Sequence, residues 1–176
     1  AKIFETLGIP VYYADTAAKQ LMNADPILRE QLISVFGEKV YTPEGLNRSY
    51  LAAVVFNDKH RLEQLNALIH PVTIRDAEDW MKKQNAPYVI EEAAILFESG
   101  SAEHLDHVIG VSAPSYIRIQ RVMDRDGLTV EEVKKRMDQQ ISEPMKMKLC
   151  DFIIINDEVE LVIPQVLELH KKLLWA

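Results

Sequence analysis

The chain carries one cysteine, Cys150, so no internal disulfide is possible and a reducing compartment suits it. No apolar run approaches the ~18–20 residues that a bilayer span needs, and no basic start leads into an apolar stretch as in a signal peptide. The expectation is a soluble, cytoplasmic protein with no membrane partner. Positive charge is in the minority: 20 Lys and Arg stand against 27 Asp and Glu, leaving −7. A molecule of that sign has no long-range field for polyanions, which excludes nucleic acid as the main partner. A small phosphorylated ligand is still compatible, because a local arginine cluster or a helix N-terminus binds it regardless of the total. With 6 Gly and 8 Pro among 176 residues, collagen-like and low-complexity structure are out, and 48% hydrophobic residues suffice for a core. The length is that of one domain, or one domain with an insertion.

Several chemical motifs are missing as well. There is no G-x-S-x-G nucleophile elbow. A phosphate loop of the form G-x-x-x-x-G-K-[ST] is absent, since none of Gly8, Gly37, Gly45, Gly100, Gly110 and Gly127 is followed by lysine. The histidines form no cluster: His104 and His107 are three apart, but no cysteine or further histidine completes a metal set, so no protein metal site is expected. Cys150 has no catalytic partner in the pattern and is expected to be buried.

Four β-prone runs are present: PVYYA at 10–14, YVIEE at 88–92, HVIGVS at 107–112 and FIIIN at 152–156. Each is largely apolar rather than alternating, as in strands of a parallel sheet covered on both faces. Helical periodicity fills 27–36, 50–56, 60–68, 72–84, 115–125, 130–140 and 161–174. Strand and helix in alternation predict an α/β domain with right-handed crossovers. The long first gap holds a helical insertion with a turn signal, TPEG at 42–45, and a second excursion at 114–150 is rich in Arg and Lys. Residues 1–7 read as a helix ended by Gly8. A single domain is expected, with a core of 1–19, 86–113 and 151–176, an insertion of 20–85 and an excursion of 114–150.

In open α/β sheets ligands bind beyond the carboxyl ends of the strands. Asp15 ends the first run, Glu91 and Glu92 the second, Asn156 and Asp157 the fourth. Acids there hold Mg²⁺ or accept a proton from a hydroxyl nucleophile. For Asp15 an N-cap of a helix starting at Thr16 is an equal alternative. Adjacent strand residues face opposite ways, so one of Glu91 and Glu92 is structural. Arg118, Arg121 and Arg125 share a helical face at spacings of three and four, with Arg136 beyond them. Such a stripe suits phosphate clamping, or else is a solvated face paired with Asp124, Asp126, Glu131 and Glu132. His70, before Pro71, reads as a helix boundary, with capping as its default role.

Read together, LGIPVYYAD (7–15), GLNRSYLAAVVFND (45–58) with LNALIHP (65–71), APYVIEEAAILFESG (86–100), QRVMDRDGLTVEEVKKRMDQQ (120–140) and CDFIIIND (150–157) resemble the dephospho-CoA kinase family, in its order and spacing. The resemblance implies a P-loop kinase-like, three-layer parallel α/β fold, with the insertion holding the substrate and the excursion as a lid. The implied reaction is transfer of the ATP γ-phosphoryl group to the ribose 3′-hydroxyl of dephospho-CoA, the last step of coenzyme A biosynthesis, with Mg²⁺ as cofactor. It further implies Asp15 as the acid that orients or deprotonates the hydroxyl and Arg121 as a lid arginine facing the phosphates. Arg125, Arg136 and Asn156 would bind ATP, and His70, Glu92, Phe97 and Glu98 would border the acceptor.

The chain departs from the family pattern in places. Glu92 and Ala94 replace an aspartate and a proline before the Leu96-Phe97-Glu98 segment, Lys19 replaces an arginine, and Arg75 sits one place late. Members carry the phosphate loop just before the helix that begins here at Ala1, so the natural protein is expected to have ~15–20 further residues there, enough for a strand and a Walker A loop. Two alternatives remain open: another P-loop nucleoside or nucleotide kinase, and a non-catalytic binding module. Nothing in the sequence indicates an oligomeric state.

Overall fold

The computed structural model describes residues 1–56 and 58–175; Asn57, within the GLNRSYLAAVVFND stretch, lies outside them. The chain divides into two compact units, one of Ala1 with Ile9–Ala94, the other of Lys2–Gly8 with Ile95–Ala176. The first helix, α1 (Lys2–Thr6), belongs to the second unit. It ends as the sequence predicts: the Gly8 amide bonds to the Glu5 carbonyl at 2.9 Å, and its φ of 83° is one that glycine adopts without strain.

The first unit is built around a parallel strand pair. Strand β1 (Val11–Tyr13) runs into α2 (Ala14–Ala24), and Asp25 caps α3 (Pro26–Phe36), accepting a bond from the Leu28 amide. Pro26 sits at the start of α3, where a missing N–H costs nothing. The TPEG signal becomes a hairpin of β2 (Tyr41–Thr42) and β3 (Gly45–Leu46). Gly45 is required there: its φ is 121°, and a Cβ would lie 2.7 Å from Asn23 Oδ1, the atom that accepts the Leu46 amide. Next come α4 (Arg48–Val55), capped by Asn47, and α5 (Lys59–Met81), capped by Asp58. Strand β4 (Ile90–Glu92) then pairs with β1 in the register Val11↔Ile90, Tyr12↔Glu91, Tyr13↔Glu92.

Two expectations change here. The predicted first strand gives up its last residue to α2, which begins at Ala14 with Tyr13 at its N-cap. The two helices predicted on either side of His70-Pro71 are one, because α5 packs along α2, α3 and α4 and the burial of Leu65, Ile69 and Ala77 outweighs the backbone bond that Pro71 cannot donate. Leu28, Leu32 and Val40 are fully buried in this unit's main cluster with Phe36, Leu51, Leu65 and Ile69. A second cluster sets Tyr12 against Ala77 and Trp80. Its hydroxyl donates to Asp76 Oδ2 at 2.7 Å, and burial first, then that bond, push the phenol far above its ordinary value.

The second unit repeats the scheme. After α6 (Leu96–Ser99) come β5 (Ile109–Ser112), α7 (Ser115–Asp126), α8 (Val130–Met137), α9 (Glu143–Lys148), β6 (Phe152–Ile155) and α10 (Val162–Leu173), on which α1 packs. β5 and β6 are parallel, from Ile109↔Phe152 to Ser112↔Ile155. Gly110 lets α9 close on β5, since a Cβ would lie 2.9 Å from both Cys150 Sγ and Met147 Sδ. Helix α7 stops at Gly127, φ 68°, and α8 starts in a capping box between Thr129 and Glu132.

Leu32→Ala removes a fully buried side chain from the first unit and should cost about 2–5 kcal/mol. Ile27→Ala, one helix face away and 66% exposed, should stay within about 0.5 kcal/mol of the parent in the same urea titration.

Candidate functional site

The first unit carries Asp15, His70 and Glu92. Asp15 lies in the first turn of α2, directly after the carboxyl end of β1, with its side chain exposed. The N-cap alternative falls, because the helix starts at Ala14, two residues before Thr16, and Tyr13 occupies the cap without a side-chain bond. An exposed carboxylate in the first turn sits in the favourable field of the helix N-terminus and is available as an acceptor. Glu92, also exposed, ends β4 opposite Tyr13, so the acids follow two adjacent parallel strands. His70 is inside α5, not at its end, which removes the capping role; burial pushes its imidazole below the ordinary value and favours the neutral form.

In the second unit, helix α7 is continuous through the arginine stripe, and each of its arginines meets an acceptor from the same chain. Arg118 Nη1 lies 2.5 Å from Glu143 Oε2, and Ser112 Oγ donates to Glu143 Oε1 at 3.3 Å. Arg121 reaches the turn after β6, donating to the Asn156 carbonyl at 3.1 Å, to Asn156 Oδ1 at 3.4 Å and to Glu158 Oε1 at 3.3 Å. Arg125 and Arg136 converge on one carboxylate: Arg125 Nε is 2.7 Å from Asp126 Oδ1, and Arg136 Nη1 is 3.2 Å from Asp126 Oδ2. These two guanidinium groups hold the Asp126 carboxyl below its usual range. Of the four acids weighed as partners, Asp126 takes that part, while Glu132 is engaged in the α8 capping box.

The turn holding Asn156 is itself constrained. Asp157 accepts the amides of Val159 and Glu160 at 3.0 and 2.8 Å, which lowers its carboxyl. Glu158 is the one non-glycine residue with positive φ among the described residues, at 73°. A left-handed glutamate is uncommon and costs energy, so the surrounding bonds determine its conformation. No spacing rule points to Glu158, because its partner Arg121 is 37 positions away.

Phe97 and Glu98 lie on α6, and Phe97 is half-buried. Glu98 Oε1 accepts the Ile141 amide at 2.9 Å and lies 3.1 Å from Lys146 Nζ, while Glu98 Oε2 is buried with no hydrogen-bond partner among the described residues. Cys150 is half-buried rather than buried. Its thiol donates to the Lys146 carbonyl at 3.1 Å, and desolvation, then the nearby acids, push it up and leave it a poor nucleophile. Among the described residues no three His, Cys, Asp or Glu side chains converge on a metal position, and no helix is long and apolar enough to cross a membrane.

Burial alone would raise the Glu98 carboxyl, but the Ile141 amide and the Lys146 ammonium outweigh it and hold it below its ordinary 4.5. A folded value below the unfolded one means that this carboxylate stabilises above pH 4.5 and that its contribution is lost as pH falls through the folded value. Unfolding of the parent and of Glu98→Gln should therefore differ at neutral pH and converge in acid, as urea titrations across that range would record.

A family model described as dephospho-CoA kinase matches residues 1–160. A dephospho-CoA kinase of Porphyromonas gingivalis is 38% identical over 170 residues, covering 96% of this chain and 84% of that protein. One from Bacteroides fragilis is 34% identical over 168 residues, at 95% and 82% coverage. Among solved structures, a Thermus thermophilus protein superposes with a TM-score of 0.83 at 30% identity, covering 97% of this chain and 87% of that one. A dephospho-CoA kinase from Campylobacter jejuni gives 0.67 at 28% identity, covering 97% and 88%.

Proposed function

The chain belongs to the dephospho-CoA kinase family, and we infer from that premise which of its residues carry the reaction. The protein is an ATP-dependent kinase of P-loop type that phosphorylates the ribose 3′-hydroxyl of dephospho-CoA, the final step of coenzyme A biosynthesis. We propose that Asp15 is the base. The observation that carries this reading is its exposed carboxylate in the first turn of α2, just beyond the carboxyl end of β1, where ligands of parallel α/β sheets bind. The hydroxyl proton passes to Asp15, the ribose oxygen forms a bond to the γ-phosphorus, and the bond from that phosphorus to the β,γ-bridging oxygen breaks, releasing ADP.

The arginines supply charge. Arg121 faces the group in transfer, and Arg125, Arg136 and Asn156 hold ATP, with segment 114–150 acting as the lid. Support comes from their pairings: Arg125 and Arg136 grip a carboxylate side by side, and a phosphate is a stronger bidentate acceptor for the same forks. Water-exposed pairs of this kind contribute little to stability, so a nucleotide would displace Asp126 and Glu158 at small cost. The negatively charged transition state is then stabilised by groups already in place.

His70, Glu92 and Phe97 would border the acceptor, held by the insertion at 20–85. The carboxylate of Glu98 is already engaged by Ile141 and Lys146 and has a different part. Mg²⁺ would be held chiefly by the nucleotide phosphates, whose charge it neutralises, and needs no more than one or two carboxylates from the protein; Glu92, which ends β4, is a hard oxygen donor of that kind and would supply one, leaving the Asp15 carboxylate free to take the proton. The reaction is expected to proceed in the cytoplasm.

Release of ADP coupled to dephospho-CoA, with no comparable turnover on nucleosides or nucleotides, is the test of the activity. Asp15→Asn should lower kcat by about 10²- to 10⁴-fold with little change in KM for dephospho-CoA. A loss through KM alone would remove Asp15 from the chemistry. Arg121→Ala should lower kcat by about 10²- to 10³-fold at unchanged acceptor affinity, and parental turnover would exclude its role in transfer.

A further inference from the structure

The second unit contains an ion pair that the chemistry above does not use. Glu98 stands on the single turn α6, and the two donors it accepts from lie 43 and 48 residues further on. The Gln139 and Gln140 amides still bond back into α8, to the Arg136 and Met137 carbonyls, but the Ile141 amide is the first to leave the helix, and Glu98 takes it. Lys146 closes the ring, since its ammonium reaches both Glu98 Oε1 and Gln140 Oε1, at 3.1 and 3.2 Å. The connection between α8 and α9 is thereby held through a backbone amide, an amide side chain and a lysine.

Three residues before Lys146 on α9, Glu143 makes the opposite pairing, to Arg118 near the start of α7 and to Ser112 at the end of β5. One base and one acid on α9 thus bind α6 and the end of α8 on one side and, on the other, the place where the excursion leaves β5. Arg121, Arg125 and Arg136 all lie between those two anchors.

The Glu98 and Lys146 side chains are 18% and 15% exposed, so this pair is desolvated, unlike those of Arg125 and Arg136. Desolvation of a buried pair consumes most of its Coulombic gain, and here Glu98 Oε2 is buried without a partner as well. What is left of that gain stabilises the carboxylate, and the pair also fixes geometry: it sets where the chain leaves the C-terminal end of α8 and turns into α9.

We propose that Glu98 and Lys146 are positioning residues for phosphoryl transfer, a clasp that fixes the root of the arginine-bearing segment so that Arg121, Arg125 and Arg136 meet the nucleotide phosphates in one geometry. The proposal rests on the kinase reading and assigns Glu98 to the root of the lid instead of to the acceptor. A displacement of about 1 Å at catalytic groups is enough to cost orders of magnitude in rate.

The test compares Glu98→Gln, Lys146→Met, their double variant and the conservative Lys146→Arg in steady-state kinetics with both substrates. Hydrogen exchange at the Ile141 amide is measured in parallel. Each single neutral variant should lower kcat by about 10- to 100-fold and raise KM for ATP, leaving KM for dephospho-CoA within about twofold. The double variant should be no worse than the poorer single, Lys146→Arg should recover most of the rate, and Ile141 should exchange faster in Lys146→Met. A raised KM for dephospho-CoA in Glu98→Gln alone, with Lys146→Met behaving as the parent, would overturn the clasp and return Glu98 to the acceptor site. Parental kcat in both single variants, even with lowered stability, would overturn it too. Failure of the unaltered protein to phosphorylate dephospho-CoA would overturn the kinase reading itself and with it any role in transfer, whatever Ile141 exchange shows.

Discussion

Two strands in parallel cannot be joined by a tight turn; the chain must leave the end of one and travel back to the start of the other. That constraint operates in each unit. Between β1 and β4 it demands a crossover, and α2 to α5 fill it; between β5 and β6 the crossover is α7 to α9. Apart from Phe97 on α6, the residues assigned to the chemistry lie on these crossovers or at the carboxyl ends of the strands they return to. Asp15 opens the first crossover, His70 lies within it and Glu92 closes the strand it returns to. Arg121, Arg125 and Arg136 ride on the second, and Asn156 follows the strand at its far end.

The charges divide by solvent exposure. Arg125 and Arg136 hold Asp126 at the surface, where water screens the attraction. Glu98 and Lys146 are largely withdrawn from water, where a single broken partner leaves an uncompensated charge. The same unit therefore carries exchangeable charges at its surface and fixed charges where α9 is tied to α6. With a net charge of −7, the proposed phosphate site would have to work through this local arrangement and not through the total.

Much of this was legible in the residues. Apolar runs at 88–92, 107–112 and 152–156 predict strands that the structure places at Ile90–Glu92, Ile109–Ser112 and Phe152–Ile155. The arginine spacing predicts a shared face, and α7 is continuous through Arg118, Arg121 and Arg125. Pro71 misleads, because a local rule against proline in helices yields to the apolar face that α5 buries on its neighbours. Asp15 misleads in a smaller way: its cap-like position shifts inside the helix when β1 ends one residue early. The partners of Arg121 and Glu98 were illegible, since Glu158, Ile141 and Lys146 stand 37 to 48 positions from them.

By itself the sequence determined the family, through five motifs in order, and the elements whose periodicity is local, because hydrophobic spacing and capping residues act within a few positions of one another. Only the tertiary structure decided which charges meet. An ion pair depends on where two side chains arrive in space after the crossovers have folded back, and no short-range pattern encodes that distance. That Glu98 meets Lys146, and that Asp126 serves two arginines and not one, are settled by packing of segments far apart along the chain.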